Sequence, residues 1–117
     1  VAIERYKKAY KKTGKKKYEQ ERTYITHQLA ECYRLTEASK LAESQYKRLM
    51  RTEYPKENPE VYLNYANVLK RNQKYELAAE YYNIYNELFP DDPRGFEALE
   101  DLQHIQEWIV KLLQKGM

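Results

Sequence analysis

Two stretches of the chain carry one apolar pattern, 36 residues apart. In LAESQYKRLMRTEYPKENP (41–59) and LAAEYYNIYNELFPDDP (77–93), Leu41-Ala42 corresponds to Leu77-Ala78 and Tyr46 to Tyr82. Upstream by the same step, Leu29-Ala30 corresponds to Tyr65-Ala66 and Tyr33 to Leu69. Apolar residues three and four apart lie on one helical face, and no segment sustains the alternation of a strand. Each unit therefore reads as two helices, with Ala where two backbones must approach closely. Ala2, Tyr6 and Ala9 repeat the second-helix spacing, so 1–13 reads as the second helix of a unit whose first helix is absent.

The pattern predicts helices over about 1–12, 18–35, 37–53, 59–72, 74–88 and 93–114. Pro55 ends the third and Pro90 the fifth. Asn58 is placed to cap the fourth, with Pro59 in its first turn. Asp92 is the natural N-cap of the sixth, with Pro93 following. The connections are short, as in antiparallel helical hairpins. The expected architecture is all-α, a single domain of stacked hairpins: 18–55, 59–90 and a long capping helix over 93–115.

Composition changes this little. A chain of 117 residues can bury a modest core. Charged residues are 33% and the mean hydropathy is −1.01, so most of the surface is wet. The 13 tyrosines suit half-buried helix faces, each giving large area and a polar tip. No apolar run approaches the ~20 residues that span a bilayer, so membrane insertion is not expected. No signal peptide is recognisable, although the chain opens inside the pattern and leaves an upstream signal open.

Charge is uneven. Residues 1–17 hold eight Lys/Arg against one Glu, or +7, so the overall +3 leaves −4 for the rest. RYKKAYKKTGKKK (5–17) reads as a solvated helix face and loop rather than a phosphate-binding patch, because Tyr6 belongs to the packing stripe. Nucleic acid is not an expected partner. The single Cys32 forms no internal disulfide and is expected to be small and buried.

In phase, these units resemble tetratricopeptide repeats, 34-residue helix-turn-helix elements. From Pro59, Tyr62 stands at the first large aromatic, Tyr65-Ala66 at the Leu-Gly pair and Leu69 at the following Tyr. Tyr75, Ala78, Tyr82 and Pro90 stand at the later signature positions. The unit from Thr23 matches at Leu29, Ala30, Tyr33, Ala42 and Tyr46. It departs at Thr26, where an aromatic belongs, and is two residues long. Phe96, Leu99 and Leu102 match a further first helix. The segment YNELFPDDPRGFEALEDLQHIQEWI resembles the end of the repeat region in Bacteroidetes outer-membrane proteins. There the repeats precede a β-propeller and a peptidoglycan-binding OmpA-like domain.

The resemblance implies a right-handed α-solenoid whose first helices line a concave groove. The function it implies is non-catalytic protein–protein interaction. Groove positions would be Tyr24, His27, Glu31 and Arg34 in one unit. In the next they would be Glu60, Leu63, Asn64, Asn67, Lys70 and Arg71. Asn side chains suit an extended peptide backbone, and Lys70 and Arg71 an acidic group. A carboxylate clamp is not implied, because His27 and Glu31 stand where its Lys and Asn belong. The narrower resemblance implies the periplasmic face of the outer membrane and a machine such as type IX secretion. A cytoplasmic location is the alternative. The rival function is a spacer that positions neighbouring domains and holds nothing in the groove.

No Gly-rich phosphate loop and no nucleophile motif occurs, so no catalysis and no cofactor are expected. His27 is expected to be exposed or capping. Glu100 and His104 are expected to form a helix-surface pair rather than a metal site. Ile105, Trp108, Ile109, Leu112 and Leu113 form an apolar stripe beyond what a cap needs. It is expected to fold back over the preceding hairpin, or to meet an adjacent domain or a second copy of the chain.

Overall fold

The computed structural model describes residues 15–116, and the expected helix over 1–12 lies outside them. The described residues form six helices and no strand. These are α1 (Lys15–Leu35), α2 (Ser39–Leu49), α3 (Tyr54–Glu57), α4 (Glu60–Arg71), α5 (Tyr75–Leu88) and α6 (Pro93–Lys115). The chain divides into two compact units between Tyr54 and Pro55.

In the first unit α1 packs on α2. Ala30, Ala42 and Tyr46 are fully buried. The two alanines let the backbones close, and Tyr46 supplies the apolar area. Thr26, the departure from the repeat pattern, donates its hydroxyl to the Arg22 carbonyl one turn back at 2.9 Å. It thus satisfies its own polar atom within the helix. Cys32 is exposed, contrary to expectation. It lies two residues beyond buried Ala30, which is more than half a turn round the helix.

α2 is shorter than expected. Thr52 donates its hydroxyl to the Leu49 carbonyl at 2.7 Å and accepts from the Tyr54 amide at 3.2 Å. One threonine thus closes α2 and opens α3, a single turn in which Pro55 is buried. Proline was expected to stop the third helix; it sits instead where a missing N–H costs nothing.

In the second unit α4 packs on α5 and α5 on α6. Val61, Tyr65, Ala66, Val68 and Leu69 of α4 are buried, as are Ala78, Tyr82 and Tyr85 of α5 and Leu102 of α6. α4 starts with Pro59 at its N-cap, one residue after the expected cap Asn58. At α6 the expectation holds: Asp92 is the N-cap, its carboxylate accepting from the Arg94 amide at 3.0 Å, with Pro93 following.

The 36-residue step recurs in the backbone. Glu37 and Gln73 both have positive φ, 64° and 63°. The Ala38 amide donates to Tyr33 O and the Lys74 amide to Leu69 O, both at 2.9 Å. The Glu37 amide donates to Arg34 O and the Gln73 amide to Lys70 O, at 3.3 and 3.0 Å. These paired bonds define a Schellman motif ending α1 and again ending α4. Both left-handed positions carry a residue with a Cβ, which costs roughly 1–2 kcal/mol there. Part of that is recovered because glycine would loosen the unfolded chain. Glu37→Gly and Gln73→Gly are therefore each expected to stabilise by about 0.5–1 kcal/mol. Urea midpoints measure this, and an unchanged or lowered midpoint contradicts it.

Candidate functional site

The face of α1 is built around Glu31. Burial pushes its carboxyl up, but bonds from His27, Arg34 and Tyr46 outweigh that and hold it down at about 2. Tyr46, buried in α2, donates its hydroxyl to Glu31 Oε1 at 2.5 Å. The Arg34 guanidinium pairs with Oε2. His27 Nε2 lies 3.4 Å from Oε1, and its Nδ1 shares a hydrogen bond of 2.8 Å with the Tyr54 hydroxyl. His27 is thus neither free nor a cap; it bridges α1 to the start of α3. Burial and the Glu31 carboxylate push the Tyr46 hydroxyl up, so it remains a donor. Among the four expected groove residues of this unit, only Tyr24 stands largely in solvent, 56% exposed.

α4 repeats the device with a neutral acceptor. Tyr82 of α5, fully buried, donates its hydroxyl to Asn67 Oδ1 at 2.6 Å. Glu31 and Asn67 are 36 residues apart, as are Tyr46 and Tyr82. Burial, with Asp101 nearby, pushes Tyr82 up to about 12. Asn64 and Lys70 are half-buried and Arg71 is exposed. Leu63 is buried, which removes it from the expected groove residues. α4 is apolar on more than one face, and Leu63 falls on a covered one. The polar side chains on this face are the amides of Asn64 and Asn67 and the cations of Lys70 and Arg71.

The difference in acceptor has a measurable consequence. A hydrogen bond to a charged group contributes about 1.5–3 kcal/mol and one between neutral groups about 1 kcal/mol. Tyr46→Phe is expected to cost about 2 kcal/mol and Tyr82→Phe about 1 kcal/mol in denaturant titrations. The reverse order contradicts a structural role for Glu31.

The sequence pattern did not disclose the cluster at the α5–α6 junction. Arg94 donates to Glu60 Oε1 and Asp92 Oδ2, both at 2.9 Å, and to the Tyr85 hydroxyl at 3.0 Å. Tyr85 donates in turn to Asp92 Oδ2 at 2.5 Å. The bonds from Arg94 and Tyr85 hold the Asp92 carboxyl well below the usual range. The cluster ties the start of α6 to the start of α4. Asp92 was recognisable as a cap, but its link to Glu60 crosses 32 residues and needs the folded hairpin.

The Glu100–His104 pair forms, at 4.0 Å on the exposed surface. Among the described residues no group of three His, Cys, Asp or Glu is placed to hold a metal ion. No helix among them is long and apolar enough to cross a membrane. The carboxy-terminal stripe stays largely open: Trp108 is 64% and Leu113 66% exposed, with Ile109 and Leu112 also exposed and Ile105 half-buried. It does not fold back over the hairpin. Comparison of the chain with protein-family models, with curated proteins and with solved structures finds no match.

Proposed function

We propose that the chain is a non-catalytic protein–protein interaction scaffold of tetratricopeptide type. The carrying observation is the 36-residue recurrence, which joins sequence, turn geometry and the tyrosine-to-first-helix hydrogen bond. Repeats of this kind stack into a solenoid and present their first helices to partners. The face that best suits a partner is that of α4, where Asn64, Lys70 and Arg71 match a peptide backbone with an acidic group. A place in a Bacteroidetes cell-envelope machine, on the periplasmic side and linked to type IX secretion and protein transport, follows only from the resemblance of 85–109.

One observation favours the spacer reading. His27, Glu31, Arg34 and Asn67, four of the expected binding residues, already bond within their own unit. Capture from a source-cell extract separates the readings. The parent chain runs beside Lys70→Glu with Arg71→Glu, and beside Tyr24→Ala. Interaction scaffolding predicts a specific partner lost by a folded variant. A chain that retains nothing specific acts as a spacer.

A further inference from the structure

α6 has 23 residues and its hairpin partner α5 only 14. The last nine residues of α6, 107–115, therefore run about 13 Å past the start of α5. Gly95 and Leu102 are buried in the part of α6 beside α5, whereas Trp108, Leu112 and Leu113 in the overhang are exposed. Under the overhang lies an open groove of about 690 Å³. Tyr75 and Leu77 of α5 and Ile109 and Val110 of α6 line it. Its rim carries Glu76 and Glu80 against Lys74, a net negative charge. The overhang carries Lys111 and Lys115, with Glu107 as its one acid.

We propose that a second copy of the chain fills this groove with its own α6 overhang, forming a two-fold dimer. Stripe and groove share Ile109, so one self-complementary patch contains both, as a two-fold contact requires. An antiparallel crossing of two α6 helices at Ile109 places Leu112 of the second copy opposite Gln106, another groove residue. The same crossing carries Lys115 towards Glu76 and Glu80. Trp108, Leu112 and Leu113, all exposed, leave an open apolar patch of the kind a partner covers. Its area lies at the low end for a stable pair, so association should depend on concentration. This contact uses no residue of the α4 face.

Sedimentation velocity of the 117-residue chain from about 1 µM to about 1 mM tests it. The mass should double across the series. A chain that stays monomeric throughout overturns the proposal. Leu112→Glu with Leu113→Glu should raise the dissociation constant at least tenfold without moving the thermal midpoint of the dilute chain. Dimerisation unaffected by that pair also overturns it. A charge exchange gives the sharper reading. Glu76→Lys with Glu80→Lys, and separately Lys111→Glu with Lys115→Glu, should each be monomeric alone. Mixed together they should form a one-to-one dimer. If the mixture stays monomeric while the parent dimerises, the contact lies elsewhere.

Discussion

Gly95→Ala should lower the thermal midpoint by about 10 °C, the effect of roughly 2 kcal/mol in a domain of this size. Gly95 is buried in the first turn of α6 against α5. A Cβ there would fall on Asn86 Oδ1 and come within 3.0 Å of Tyr85 Cδ2. Overpacking of this kind costs about 1–3 kcal/mol, and the better helix propensity of alanine offsets about 1 kcal/mol. The Asn86 side chain and the Tyr85 ring are both buried and have little room to give, so the upper end applies. Asn86 is 6% exposed, and neither its amide nitrogen nor its oxygen has a hydrogen-bond partner. Truncating it removes an uncompensated buried amide together with the obstruction. Asn86→Ala is therefore expected to be close to neutral, and the double variant to recover most of the loss. Thermal melts followed by circular dichroism measure all three. A Gly95→Ala chain as stable as the parent would falsify the close approach.

The second large effect is on acid stability. The Glu31 carboxyl sits at about 2 in the folded chain against 4.5 for a free one. A depressed carboxyl contributes its stability fully above the unfolded value and loses it as pH falls towards the folded value. The window is therefore about pH 4.5 down to about 2. At 1.36 kcal/mol per unit the ceiling is roughly 3 kcal/mol; a side chain 21% exposed is partly screened, so about 2 kcal/mol is expected. Urea titrations of the parent and Glu31→Gln at several pH values isolate this share. The parent should exceed the variant by about 2 kcal/mol at pH 7, and the gap should close near pH 2. A gap that persists unchanged at pH 2 contradicts the assignment.

Periodicity made the helices legible because it reports directly on which residues leave water. It placed the hairpin turns within a few residues, and it found Asp92, since an N-cap is a local chemical choice. It failed where the deciding partner is distant in sequence. Cys32 looks buried by residue type, but its angle from Ala30 turns it to solvent. Leu63 looks available because it falls between signature positions, yet α4 is covered there too. His27 finds Tyr54 through the beginning of α3, a helix hidden by the habit of reading Pro55 as a stop. The acceptors of Tyr46 and Tyr82 stand fifteen positions upstream, a distance that means nothing until the hairpin is closed. For the candidate face, the sequence shows which polar residues stand on the first helices but not that most of them are occupied.

The two left-handed connections also bear on synthesis. Each turn joins helices that end and begin within about four residues, so every hairpin finds its partner locally and closes quickly. At about 5–20 residues added per second, chain growth is far slower than that closure. The α1–α2 hairpin can therefore finish packing before α5 has been made. A ribosome stalled after Leu49 has cleared its exit tunnel would already carry α1 and α2 as neighbours, with the Tyr46 hydroxyl able to reach Glu31.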